Sequence, residues 1–355
     1  MLQQGHLLKD FECEANILKR LSHPNIVRFM EYNENNGSPY LVMEYARYGT
    51  IRKAPPKSLK QVAEYVDQIA NALDYLHNCP HEIEKGKGKA RPLMHLDLKP
   101  ENILLGEGPN GEDKILLADF GLAQEVHNPR SQPPYWGGTP AYMAPEVDHY
   151  RKPRPESDQY ALAIMVYEWL SGGRRPGPNP KPLSGISDEI NKVILKALDN
   201  DPSRRFKGVK AFAKAFRDTY VKYEVERGIQ IDKHYKAGED HIRAKRYGKA
   251  RDDFTRVIAM DGNHSAAFAY RGSAYLGLKQ GEKALDDYNQ ALKMNKDNIH
   301  ALGHRGIILR KNKQYKEALA DFDQVHVLGC ALGLSWPWIE KEREELSQLI
   351  RGNRR

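Results

Sequence analysis

The chain has 355 residues, which at roughly 150 residues per domain is enough for two domains with a core each. An apolar share of 40% is that of a globular protein and excludes a disordered or collagen-like chain. A net charge of +8, against 55 basic and 47 acidic residues, is too small an excess to call for a nucleic-acid partner.

In chain order, the opening MLQQGHLLKDFE lacks the basic and then apolar pattern of a secretory signal. Over residues 8–21, Phe11, Ile17, Leu18 and Leu21 recur at helical spacing, and the following SHPN is a helix stop. The runs IVRFMEY and YLVMEY, separated by NENNGSP, predict an antiparallel strand pair. Residues 59–77 predict an amphipathic helix, and HEIEKGKGKARP reads as a solvated surface insertion rather than an anion site. HLDLKPEN begins at His95 and precedes two strand patterns, ILL and KILLADF. Between those strands GEGPNG contains a literal G-x-G-x-x-G at Gly106, Gly108 and Gly111. No helix follows it and Pro109 removes a backbone donor, so it reads as a hairpin turn and not as a phosphate loop. Asp119-Phe120-Gly121 comes next, then Ala144-Pro145-Glu146. The longest apolar run, Tyr160 to Leu170, carries Glu168 and is far short of the roughly 20 residues that span a bilayer, so no membrane partner is expected. Cys13, Cys79 and Cys330 include no C-x-x-C pair and are too few for a disulfide framework, which fits a reducing, cytoplasmic setting.

The order and spacing of HLDLKPEN, DFG and APE resemble the signature series of a eukaryotic-type protein kinase of the Ser/Thr branch, over about residues 8–220. The resemblance implies transfer of the ATP γ-phosphate to Ser or Thr of protein substrates, with Mg²⁺ as the metal. It assigns Asp97 to orienting the substrate hydroxyl, Lys99 to neutralising the transferring phosphate, and Thr139 to bridging the two. Asn102 and Asp119 supply the hard oxygen ligands that Mg²⁺ prefers. Met43, Glu44 and Ala46 match the strand end and hinge whose backbone meets adenine. Glu146 and Arg205 resemble a buried structural ion pair, and Asp158 resembles the residue that holds the catalytic-loop backbone. His95 and Phe120, with Leu18, resemble an internal hydrophobic spine, which makes His95 a packing residue.

Two features depart from that family's pattern. Leu96 stands between His95 and Asp97 where regulated kinases carry Arg, so a phosphate on the segment 122–143 would lack its bidentate partner, and activity independent of phosphorylation there is expected. No G-x-G-x-x-G-x-V or V-A-I-K precedes Glu14, which has only 13 residues before it. Lys9 falls in the same predicted helix as Glu14 and cannot serve as the strand lysine. Weak activity of these 355 residues is therefore expected; the alternatives are a pseudokinase scaffold without catalysis, or Met1 being an internal methionine of a longer active enzyme.

The last third is periodic. Gly238, Gly272 and Gly306 are 34 residues apart, and the same register holds Ala250, Ala284 and Ala318, Phe254, Tyr288 and Phe322, and Asp253, Asp287 and Asp321. The period and columns resemble tetratricopeptide repeats, which implies an all-α solenoid that binds a peptide or protein ligand on its concave face. The repeat's usual tryptophan and proline are missing, and Lys296 occupies the proline position of the second unit. The expected fold is α+β, a protein-kinase-like domain with a mostly helical C-lobe and an incomplete N-lobe, followed by the all-α solenoid. Expected boundaries are a kinase domain at 1–220, a helical linker at 221–230, three repeats at 231–332 and a capping helix at 333–355.

Overall fold

The computed structural model describes residues 12, 14–35, 38–78, 93–125, 139–150 and 152–352. The chain divides between Tyr223 and Glu224 into two units.

In the first unit, residues 14–18 form a short helix, α1, that buries Ala15 and Leu18. Most of the residues expected to precede it in that helix, 8–11 and Cys13, lie outside the described residues. Strands β1 (Phe29–Asn35) and β2 (Ser38–Met43) pair antiparallel, Tyr32 opposite Leu41, as the two apolar runs predict. The first run is nevertheless divided. Ile26 and Val27 leave it to join Leu117, whose carbonyl accepts the Val27 N–H at 2.9 Å. These two side chains are 2% exposed, so burial against the core outcompetes the hairpin for them, and β1 continues instead through the polar NEN.

Helix α2 (Leu59–Asn78) places Val62, Val66, Ile69, Leu73 and Leu76 on one face at helical spacing, all buried. It packs on α4 (Pro155–Leu170), whose Leu162, Ala163, Met165 and Val166 are fully buried. The longest apolar run is therefore the central core helix of this unit, and no helix among the described residues is long and apolar enough to cross a membrane. Strand β3 (Leu93–Met94) pairs with β6 (Gln124–Glu125), and β4 (Ile103–Glu107) with β5 (Asp113–Leu117), both antiparallel. The GEGPNG turn closes the β4–β5 hairpin as expected: the Gly108 N–H reaches the Glu112 carbonyl at 2.7 Å, and Gly111 takes φ +82°. Helices α3 (Pro145–Asp148) and α5 (Asp188–Ala197) complete this unit with the first part of α6 (Val209–Arg243). Three two-stranded ladders among a majority of helix make an α+β architecture. The lysine-rich insertion falls in 79–92, outside the described residues.

The second unit is all helix: the end of α6, then α7 (Tyr247–Met260), α8 (Ser265–Gly277), α9 (Gly281–Met294), α10 (Ile299–Lys311), α11 (Tyr315–Ala331) and α12 (Pro337–Gly352). Residues 221–230, expected as a helical linker, are helical and interior to α6, and the division between the two units falls within them. Each periodic glycine lies opposite its periodic aromatic: a Cβ at Gly238, Gly272 or Gly306 would sit 2.7–2.8 Å from the ring of Phe254, Tyr288 or Phe322. The aspartate column is buried and paired. Arg271 grips Asp287 with two bonds of 2.8 Å, and Arg305 grips Asp321 at 2.8 and 2.7 Å. In the first repeat Ala237 stands where those arginines would be, and His234 and His241 hold Asp253 instead, at 3.1 and 2.9 Å.

Candidate active site

The stretch from His95 to Lys99 is irregular backbone that runs into a single 3₁₀ turn, Pro100–Asn102, and it is held by a buried carboxylate. Asp158, on the first turns of α4, is fully buried and accepts the N–H groups of His95 and Leu96, both at 2.9 Å. It also meets His77 Nε2 of α2 at 2.8 Å. Burial pushes the Asp158 carboxyl up, but the His77 contact, the charges of His77 and His95 and the backbone bond outweigh it and hold the group below the usual carboxylate range. This anchoring lets Leu96 keep the left-handed conformation, φ +61°. His95 is fully buried, bonded to the Ala118 carbonyl at 3.1 Å and packed edge-on to Phe120 at 5.1 Å, so it has no access to solvent for proton transfer.

Around Asp97 three other residues singled out in the sequence converge, Lys99, Asn102 and Thr139. Lys99 Nζ donates to Asp97 Oδ2 at 2.6 Å, and Asn102 Nδ2 donates to the same oxygen and to the Asp97 carbonyl, both at 2.9 Å. Among the described residues Asp97 Oδ1 faces only Thr139 Oγ1, at 3.5 Å, the outer limit of a hydrogen bond. Because Asn102 turns its Nδ2 inward, its Oδ1 is left without a donor among the described residues. The next oxygen site is adjacent in the chain fold: the Ala118 N–H reaches the Asn102 carbonyl at 2.9 Å, which brings Asp119 beside Asn102. Asp119 is exposed and left-handed, φ +63°, and among the described residues its Oδ1 accepts only the Gly121 N–H, at 3.3 Å. Leu96, Asp97, Thr139 and Tyr142 line a cavity of about 20 Å³, room for one water.

At the end of β2, Met43 packs against the core. The Glu44 N–H is tied to the Arg28 carbonyl at 2.9 Å and its carboxylate to Lys114 at 2.8 Å. The Glu44 carbonyl and the Ala46 N–H bond to nothing among the described residues, and the chain then returns through Tyr48 N–H to the Leu105 carbonyl at 2.9 Å. One segment thus presents an acceptor and a donor two residues apart.

Glu14 of α1 meets no cation among the described residues; its Oε1 accepts the Phe120 N–H at 3.1 Å. Burial pushes its carboxyl up, the Phe120 bond opposes that, and the charge of Asp119 adds to it. Glu146 and Arg205 form the expected buried pair, two bonds of 2.8 Å, with Ser157 Oγ on the same carboxylate at 2.7 Å. Ser131 belongs to 126–138, outside the described residues.

Sequence reasoning missed a second cluster beside Pro100. Arg52 donates to Glu101 at 2.7 Å, to Glu168 at 2.6 Å and to the Tyr142 hydroxyl at 2.5 Å, and Tyr142 bonds Glu168 at 2.6 Å. Glu101 above all, with Glu168 and Tyr142, raises the Arg52 guanidinium above its ordinary pKa. The available signal was Glu168 itself: an acid in an otherwise apolar core helix needs a partner.

A family model described as the protein kinase domain matches residues 3–221, and one described as the tetratricopeptide repeat matches 235–299 and 271–327. The serine/threonine-protein kinase Pkn1 of Myxococcus xanthus is 28% identical over 232 residues, 59% of this chain and 32% of Pkn1. PkaB of Streptomyces coelicolor is 31% identical, over 57% of this chain and 51% of PkaB, and the Aurora kinase of Saccharomyces cerevisiae 31%, over 57% and 55%. The chain spans about a third to a half of these relatives. The crystal structure of a single-site mutant of the Mycobacterium tuberculosis PknI kinase domain aligns over 60% of this chain and 78% of its own, at 27% identity and a TM-score of 0.45.

Proposed function

We propose that this chain, which belongs to the protein kinase family and carries tetratricopeptide repeats after its kinase domain, transfers the γ-phosphate of ATP to Ser or Thr of protein substrates. The observation that carries the reading is the division of labour on one carboxylate: Lys99 and Asn102 occupy Asp97 Oδ2, while Oδ1 stays open beside Thr139. A substrate hydroxyl approaching Oδ1 would find an acceptor for its hydrogen bond and then its proton. Lys99, two residues on, holds that carboxylate in place and brings a positive charge to the transferring phosphate.

The donor set fits magnesium. Among the described residues no three His, Cys, Asp or Glu side chains form a metal cage, but Mg²⁺ needs only one or two protein oxygens and takes the rest from water and phosphate. Asn102 Oδ1 has no donor among the described residues, Asp119 accepts the Gly121 N–H at 3.3 Å, and the Ala118–Asn102 backbone bond places the two residues close along the fold, so they would hold it; the ion would supply charge neutralisation to the triphosphate. The Glu44 carbonyl and Ala46 N–H, which bond to nothing among the described residues, would offer an acceptor to the amine and a donor to a ring nitrogen of adenine, with Met43 at the strand end beside them.

One observation favours the second reading, a scaffold without catalysis: Glu14 is engaged by the Phe120 N–H and by no cation among the described residues. With no cation beside Glu14 among the described residues, low turnover is expected. The deciding experiment measures incorporation of radiolabelled phosphate from ATP into a Ser/Thr protein substrate. Low but measurable transfer that disappears in Asp97→Asn supports the kinase reading; transfer unchanged by Asp97→Asn, or none together with no thermal shift in Mg-ATP, defeats it. A cytoplasmic location and protein ligands for the repeats belong to the same proposal.

A further inference from the structure

Lys245, Lys279 and Lys313 are spaced by the 34-residue repeat, and all three adopt the left-handed conformation, φ +57°, +61° and +63°. Each closes the first helix of its repeat in the same way. The Lys279 N–H bonds the Leu276 carbonyl at 2.9 Å and the Gln280 N–H bonds that of Tyr275 at 2.9 Å, and the other two turns repeat this pattern. In a stack of antiparallel helix pairs, all turns within a pair fall on one edge and all turns between pairs on the other. The three lysines therefore line one edge of the array.

That edge is basic, and only part of it is neutralised: Arg243 pairs with Asp240 at 3.1 Å and Arg251 with Asp252 at 2.7 Å. Residues 243–251 hold Arg243, Lys245, Arg246, Lys249 and Arg251 with no acid among them. Lys245, Arg246, Lys249, Lys279, Lys313 and Lys316 are exposed, and none has an ion-pair partner among the described residues. Besides Asp240 and Asp252, the acids here are Glu282 and Glu317, exposed first-turn residues of α9 and α11. The opposite edge differs: its turns carry Asp261 and Asp297 against Lys296, and the exposed apolar side chains Val327, Leu332 and Leu334 lie toward it, at and beyond the far end of α11.

We propose that this row of lysines docks an extended, Asp/Glu-rich segment of a partner protein. The proposal rests on the reading of the repeats as a protein-binding module and gives it a surface apart from the concave face. Neighbouring first helices such as α8 and α10 are in contact, and packed helices lie about 8–10 Å apart. An extended chain advances about 3.3 Å per residue. An acid at every third position therefore meets successive lysines. A membrane is disfavoured because apolar side chains that would insert lie at the other edge. Duplex nucleic acid is disfavoured because the chain's net excess of +8, against 55 basic and 47 acidic residues, is small.

The test uses the full chain and a fluorescein-labelled 12-residue peptide of Glu, Gly and Ser with Glu at every third position. A second peptide has the same composition with its four Glu contiguous. Fluorescence anisotropy should show the spaced peptide binding best and losing about tenfold in affinity in the triple variant Lys245→Gln, Lys279→Gln, Lys313→Gln, with triple Lys→Arg within about twofold of the original. Circular dichroism checks that the variants fold. Equal binding by the Gln variant overturns the proposal. So does tighter, lysine-dependent binding of a 20-nucleotide DNA or of phosphatidylserine vesicles, which would make the edge a site for another class of partner. A random peptide array separates the two readings: neutral peptides retained by the Gln variant, with no acidic binder, leave the protein-binding module standing and remove its acidic edge, whereas no binder of any kind removes both.

Discussion

The His300 imidazole stacks on Tyr270 at 4.4 Å, lies 4.5 Å from His304, and its Nε2 meets Ser273 Oγ at 2.8 Å, which also bonds the Tyr288 hydroxyl. Burial, helped by the nearby His304, pushes its pKa down to about 3, and burial also lowers His304. The fold therefore keeps His300 neutral while the unfolded chain takes up a proton near pH 6.5. Between those values the unfolded state binds more protons, so stability falls as pH falls, by about 1.4 kcal/mol from His300 at pH 5.5. Urea unfolding of the full chain at pH 7.5 and 5.5 should show this loss, and His300→Gln should remove most of it. An unchanged pH slope in that variant would show that the ring protonates inside the fold.

At the scale of a repeat, backbone conformation and close packing set opposite demands on neighbouring positions. The left-handed turn costs a lysine about 1–2 kcal/mol, partly offset in glycine by the larger entropy of the unfolded chain. Lys279→Gly should therefore stabilise the protein by about 0.5–1 kcal/mol, with the same sign for Lys245 and Lys313. Within α10 the sign depends on position. A Cβ at Gly306 would stand 2.8 Å from the Phe322 ring, whereas one at Gly303 would meet only Trp338, at 3.5 Å. Ala in place of Gly303 gains about 1 kcal/mol of helix propensity, and in place of Gly306 loses about 1–2 kcal/mol to overpacking. Denaturation midpoints of the two variants should move in opposite directions; a shared direction would mean the ring moves aside freely. The glycine column was legible in the sequence because close approach admits few residue types. The lysine column keeps the same 34-residue spacing and was passed over, since lysine carries no mark of a left-handed turn.

Across the whole molecule, legibility followed the distance over which a role is decided. Asp97, Lys99 and Asn102 lie within six residues, and their chemistry dictates their types, so the string announced itself. The Arg52 cluster joins residues 49 and 116 positions apart, and His77 reaches Asp158 over 81, separations that leave no local period to read. The departure of Ile26 and Val27 from the strand pair was hidden for the same reason, since their partner is Leu117. Carrying both a kinase domain and an acidic-segment edge on one chain has a kinetic consequence. Binding a substrate by a second site converts its encounter with Asp97 into an intramolecular event, which raises the local concentration of acceptor without touching the chemistry. A substrate peptide carrying the spaced-Glu segment on a flexible linker should therefore have a KM about tenfold below that of the untagged peptide, at equal kcat. The triple Lys→Gln variant should raise the tagged KM to the untagged value and leave the untagged peptide unaffected. A KM advantage that survives the variant would place recruitment elsewhere on the chain, and a change in kcat for the untagged peptide would mean that the lysines act on the catalytic unit itself.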